Sequence, residues 1–130
     1  MGSRAAGVAS ERAAAPAAVV AMAICSLGAA VIHAATTKTG FDLSALDGAF
    51  FVAVAAGQAG WAVLVVMRPV RAVLMLGAAG NAGVLAVWAV SRTAGVPIGP
   101  EAGVRLPVGF PDAVTAALEA ILVLAASFTW

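Results

Sequence analysis

Long apolar runs alternate with short polar or glycine- and proline-rich breaks along the whole chain, and the runs define four helices. The first expected span is 16–35, opened by Pro16, whose missing N–H costs nothing in a first helical turn. The stretch Thr36 to Asp47, TTKTGFDLSALD, is an expected polar connection. Its end is a helix start, because Ser44 and Asp47 have the spacing of a capping box. The second span is 46–67, ended by Arg68-Pro69, since a residue before proline is pushed out of the helical region. The third is 69–93, with Pro69 in its first turn, and the tight joint predicts that spans two and three are antiparallel neighbours. From Ala94 to Pro111 prolines and glycines crowd together, which excludes helix and buried strand. Asp112 is the expected N-cap of the fourth span, 112–130.

These elements predict an all-α fold, a four-helix transmembrane bundle of antiparallel up-down topology with an irregular outer loop between helices 3 and 4. Residues 1–15 read as a flexible cytoplasmic tail, and 16–130 as one membrane domain. A signal peptide is the rival reading of residues 1–35, although the apolar run exceeds the usual length of such a segment. Ala6 stands where a myristoylation signal has Ser or Thr.

Composition supports lipid as the solvent: 63% of the 130 residues are hydrophobic and 10% charged, too little charge to cover a water-exposed surface. A net charge of +1, with no basic cluster, gives no footprint for nucleic acid. The single Cys25 excludes a disulfide framework and is read as a small apolar filler. Arg4, Arg12, Arg68 and Arg71 fall on one side of the expected bundle and Lys38, Arg92 and Arg105 on the other. This margin places both termini in the cytoplasm of a cell with the chain in its plasma (inner) membrane.

The rare polar residues line up at helical spacing. Ser26, His33 and Thr37 share a stripe on the first span; Asp47 and Gln58 on the second; Asn81, Trp88 and Arg92, with Gly77, on the third; Asp112, Thr115 and Glu119 on the fourth. Polar side chains avoid hydrocarbon, so the stripes are expected to converge on an outward-opening polar core. Glu119 lies ~10 Å below Asp112 at 1.5 Å per residue. An unpaired charge near a helix centre costs ~2.5–3.5 kcal/mol against ~0.6 kcal/mol for an average interhelical hydrogen bond, so Glu119 needs a partner. Arg92 is the expected one, reaching down as a cationic lid, with Ser91 and Thr93 capping the last turn beside it; Glu101 and Asp112 are its alternative partners.

Each feature also has a purely architectural reading. Arg92 and Glu119 can be an ion pair that fixes helix register, and Gln58 and Asn81 can be interhelical amide bonds. His33, near the end of its expected span, reads as a solvated or interfacial histidine. A metal ligand is the alternative, requiring His33 to converge with Glu119, Asp112 or Glu101 from elsewhere in the chain. Trp61, Trp88 and Trp130 are interfacial or packing aromatics. Gly77 to Gly83, with Ala53, Gly57 and Gly60, are small residues for close helix approach. One histidine excludes a bis-histidine haem or an HExxH zinc site, and Ser91 lacks a nucleophile elbow.

The motif W-x-x-S-R-T-x-G-x-P-x-G-P at Trp88–Pro100, followed by P-V-G-x-x-D at Pro107–Asp112, resembles that of an uncharacterised family of small four-span integral membrane proteins from high-GC Gram-positive bacteria. The likeness runs from about His33 to Glu119 and takes in Phe50-Phe51, Gln58, Arg68-Pro69 and Asn81. It implies a four-helix membrane fold and carries over no assigned activity. Such proteins often carry a second histidine in the first outer loop, which this chain lacks.

The expected function is that of a non-enzymatic accessory or interaction subunit, or a small-ligand binder, built around Arg92 and Glu119. A transporter or ion- and proton-handling protein is the alternative, and an outward-facing metal or enzymatic site a further one. No cofactor is expected. The expected partners are membrane lipids and other membrane proteins or a homo-oligomer, with no nucleic acid.

Overall fold

Ser44 is all that separates the first two helices of the computed structural model, which describes the backbone of residues 2–128 and the side chains of 16–128. Helix α1 runs Gly2–Leu43, α2 Ala45–Met67, α3 Arg71–Thr93 and α4 Phe110–Phe128. Each has a stretch long and apolar enough to cross a membrane, so the chain is a four-helix bundle of the multi-pass membrane class. The expected tail, 1–15, lies outside the residues whose side chains are described, and Trp130 outside the described residues altogether.

The expected polar connection from Thr36 is instead helix as far as Leu43. Its polar groups are absorbed locally. Thr36 Oγ1 donates to the Ile32 and His33 carbonyls at 3.0 and 2.9 Å, Thr37 Oγ1 donates to His33 at 3.1 Å, and Lys38 pairs with Asp42 one turn on at 2.7 Å. The apolar part of α1, Pro16–Leu43, is 28 residues, ~42 Å, against ~30 Å of hydrocarbon. Its surplus carries the exposed Lys38 and Asp42.

Ser44 is extended (φ −161°, ψ 160°) and its hydroxyl oxygen accepts from the Asp47 N–H at 3.1 Å, the cap expected of this spacing. The reciprocal half of the box is replaced: Ser44 N–H donates to the Gly40 carbonyl at 2.9 Å, and the Ser44 hydroxyl donates to the Asp47 carboxylate instead. The helices meet closely at this corner. A Cβ on Gly40 would stand 3.1 Å from the Gly48 Cα, and one on Gly48 would run into the Phe41 ring.

Arg68 ends α2 at φ −142°, as a residue before proline should. Pro69 does not open α3, however; Val70 is the extended cap and the helix starts at Arg71. The helices α2 and α3 are neighbours, as the tight joint predicts, but they pack loosely. They make the fewest contacts of the four adjacent pairs, while α1 against α2 makes the most. Trp61 explains the gap, because its indole lies over Gly77 and its N–H donates to the Val73 carbonyl at 2.7 Å, a wedge near the joint. A half-open groove of about 290 Å³ separates the two helices beyond it.

Asp112 is likewise not the N-cap of α4. The helix begins at Phe110, and Asp112, in its first turn, reaches back to accept the Gly109 N–H at 3.0 Å. In the loop before it, Gly95, Gly99 and Gly103 have φ of 78°, 91° and 77°, the left-handed region that favours glycine. Gly103 N–H donates to Val96 and Leu106 N–H to the Ser91 carbonyl, both at 2.9 Å, folding the loop back over the end of α3.

The bundle is layered. Met22, Trp61, Val65, Leu74, Leu122 and Ala126 form an apolar core toward the end that holds the α2–α3 joint, with the half-buried Cys25 packed against it. Ile24, Val31, Leu76 and Leu124, 57–68% exposed, lie on the outer faces, as a lipid-facing surface requires.

Candidate functional site

Beyond the apolar core, four buried polar side chains meet, one from each helix: His33 of α1, Gln58 of α2, Asn81 of α3 and Glu119 of α4. Glu119 is 1% exposed. Its Oε1 accepts from Gln58 Nε2 at 2.8 Å and lies 3.1 Å from His33 Nε2. One proton occupies that second contact, carried on the imidazole or the carboxyl. Gln58 Nε2 spends its other hydrogen on Asn81 Oδ1 at 3.2 Å, and Asn81 Nδ2 donates to the Gly77 carbonyl at 2.8 Å. The orientation of the Gln58 amide follows from its neighbours, since Glu119 Oε1 and Asn81 Oδ1 both need a donor.

The backbone supports this arrangement. Ser26 Oγ donates to the Gln58 main-chain carbonyl at 2.8 Å, pinning α1 to α2, and Phe51 stacks on His33 with ring centroids 5.9 Å apart. The α2–α4 diagonal has no close backbone approach, and the side chains of Gln58 and Glu119 bridge it across the bundle axis. Gln58 is 6% exposed, and its Oε1 has no hydrogen-bond partner. The same residue lines the α2–α3 groove together with Asn81, between walls formed by Val54, Gly57, Leu76, Gly80 and Val84.

Arg92 does not pair with Glu119. Its Nη2 lies 2.8 Å from Asp112 Oδ2, the alternative partner, and its Nη1 donates to Ser91 Oγ at 3.0 Å. The reason is height: Asp112 opens α4 beside the end of α3, whereas Glu119 lies two turns deeper. Ser91 Oγ donates to Trp88 O at 2.7 Å, and Thr93 Oγ1 to Ala89 O at 2.7 Å. Trp88 Nε1 and Arg92 Nε are buried and have no hydrogen-bond partner.

Nor is His33 solvated or interfacial. The extension of α1 to Leu43 puts it inside the bundle, where it is 8% exposed and faces the carboxylate. Of the residues considered for a metal, His33 and Glu119 are brought together, Asp112 is committed to Arg92, and Glu101 lies half-buried in the loop. Among the described residues no group of three or more His, Cys, Asp or Glu side chains could hold an ion. Ser26, Phe51 and Trp61 support or border the cluster beyond the expected set. Ser26 shares the stripe of His33, and Trp61 lies opposite a glycine, but nothing in the sequence links either to a partner helix.

The chain is thus a multi-pass membrane protein whose four helices enclose a hydrogen-bonded polar network at mid-span. Comparison with protein-family models, curated proteins and solved structures gives no match.

Proposed function

We propose that this protein is a non-enzymatic membrane protein that binds a small ligand at the His33–Gln58–Asn81–Glu119 cluster. The observation that carries this reading is the position of Gln58, which bonds Glu119 on the bundle axis and also lines the α2–α3 groove, so an occupant of the groove acts directly on the buried network. Ionisable side chains within a membrane span are costly, and a functional role is the default reading for one held in a network. In this proposal the site is entered from the side of the bundle, and the Arg92–Asp112 pair secures the end of α3 against α4. The arginine distribution supports a plasma-membrane setting with both termini cytoplasmic.

The test is binding. Protein in lipid nanodiscs is exposed to total membrane lipid extract, re-isolated and analysed by native mass spectrometry. Retention of a small molecule that is lost in Glu119→Gln and in Asn81→Leu, both with native helicity, is the expected result. Retention unaffected by either substitution overturns the reading.

Proton handling is the second reading, favoured by the His33–Glu119 contact, where one proton has two sites 3.1 Å apart. It predicts proton flux in proteoliposomes that Glu119→Gln abolishes.

A further inference from the structure

We infer that the His33–Glu119 pair exchanges protons, past Thr37 and Thr115, with one side of the membrane only, the side of the Ser44 corner and the α3–α4 loop. The pair then senses the acidity of a single compartment. The inference rests on the ligand-binding reading for what the proton regulates, and it excludes proton flux across the protein.

Two ionisable groups in contact inside the bundle carry the first step. With one titratable proton between them the pair has no net charge; a second makes it cationic, and none leaves it anionic. Any change of that count brings a proton from water or returns one to it. Gln58 Nε2 donates to the same Glu119 oxygen and Gln58 lines the α2–α3 groove, so the count is felt where the ligand is proposed to bind. Among the described residues no other ionisable side chain is bonded to the pair: α2 presents Gln58 and Phe51, and Asn81 of α3 connects through Gln58. Lys38 pairs with Asp42 at the exposed end of α1, Asp47 is bonded to Ser44, Asp112 is held by Arg92, and Cys25 lies against the apolar core.

The two routes to water are unlike. Toward the α2–α3 joint stand Met22, Val65, Leu122 and Ala126, each at 2% exposure or less, in a packed apolar layer. Such a layer stays dry and offers a proton no hydroxyl to move along. Toward the Ser44 end, Thr37 and Thr115 stand one turn, ~6 Å, beyond His33 and Glu119. Each hydroxyl donates to its own helix, Thr37 to His33 and Thr115 to Pro111, which leaves the oxygen lone pairs as acceptors. About a turn beyond Thr115, the half-exposed Asp112 pairs with Arg92 and marks the way to water. The His33 side chain is 10% exposed against 1% for Glu119, which makes the imidazole the member that the proton reaches first.

The test uses the full chain in sealed phosphatidylcholine vesicles, sorted by a tag at one terminus so that the Ser44 end faces outward in one preparation and inward in the other. A trapped dye reports internal pH. The outer buffer is stepped from about pH 8 to about pH 4, across the ordinary histidine and glutamate values, and followed by fast-mixing infrared difference spectroscopy. Isotope labelling of the single histidine and the Glu119→Gln variant assign the imidazole and carboxyl bands. These bands are expected to change before internal pH falls only when the Ser44 end faces outward. Thr37→Val combined with Thr115→Val is expected to slow that change at least about fivefold, the barrier of one lost hydrogen bond. Ser127→Ala, which removes an exposed hydroxyl at the other end, is expected to leave the rate unchanged.

A response in both orientations, in the reverse orientation or in neither overturns the inference, as does an unchanged rate in the threonine variant. Should that variant fail to fold, the orientation dependence of the parent protein and the rate in Thr37→Val decide the matter. Glu119-dependent flux across the same vesicles also overturns it and leaves the proton-handling reading in place. A one-sided response in a protein that retains nothing from lipid extract supports the inference and removes the ligand-binding reading alone.

Discussion

The carboxylate of Glu119 meets the imidazole of His33 at 3.1 Å across the α1–α4 interface. Gln58 donates to the same oxygen, so one atom ties together three helices. Interhelical hydrogen bonds in membranes average ~0.6 kcal/mol with a maximum near 1.7. We therefore expect Glu119→Ala to destabilise the bundle by ~1–3 kcal/mol, and Glu119→Gln, which keeps the shape, by less than ~1. A double-mutant cycle of Glu119→Gln with His33→Leu, measured by unfolding in mixed micelles, should give a coupling of ~0.5–1.5 kcal/mol. Strict additivity would mean the contact contributes nothing.

Two glycines on one helix should respond in opposite directions. Gly77 lies against the Trp61 ring, itself held by its bond to Val73, so Gly77→Ala forces the wedge to move and should cost ~1–3 kcal/mol. Gly80 faces open space, and Gly80→Ala should stabilise by up to ~1 kcal/mol through helix propensity. Thermal unfolding in detergent distinguishes them; a common sign for both would show that Trp61 does not seat on Gly77.

Asp112 has two jobs and Arg92 one principal partner. The carboxylate accepts the Gly109 N–H and pairs with the guanidinium. Arg92→Gln should cost up to ~1 kcal/mol, as a partly exposed ion pair does. Asp112→Ala should cost ~1 kcal/mol more, because the end of α4 also loses its backbone acceptor. Raising salt should narrow the part that depends on Arg92 and leave the capping part, a difference visible in unfolding curves at low and high ionic strength.

In the loop between α3 and α4, Gly95→Ala should be the most damaging glycine substitution. Its φ is 78° and the added Cβ would stand within 2.7 Å of Gly103 backbone atoms. Gly99, at φ 91° with nothing near its Cβ position, should lose ~1–2 kcal/mol for the left-handed conformation alone. Amide hydrogen exchange at Leu106, whose N–H reaches the Ser91 carbonyl, should accelerate far more in Gly95→Ala than in Gly99→Ala.

Features set within a few residues were readable from the chain. The Ser44 cap and the break at Arg68-Pro69 follow from local chemistry and lie where that chemistry puts them. The four apolar runs needed no partner to be recognised. The end of α1 was misleading because threonine and lysine read as a loop, although Thr36 and Thr37 bond back to their own helix and Lys38 to Asp42. That difference in length changed the chemistry: it moved His33 from a span end to the bundle interior and gave Glu119 a different partner. A stripe on one helix says which face turns inward. It does not say which residue on the facing helix stands at the same height, and height is why Arg92 meets Asp112 rather than the deeper Glu119. The α2–α3 groove was hidden likewise, since a short joint fixes the ends of two helices and leaves their divergence to the wedge between them.

The one-residue joint at Ser44 also bears on biogenesis. The two residues of the Ser26–Gln58 bond, which pins this hairpin, both precede α3 and α4 in the chain. Asn81 follows, and Glu119, on α4, comes later in the chain than His33 and Gln58, the side chains that contact it. Chain order therefore makes every hydrogen-bonding group that meets the acid available before the acid itself is synthesised.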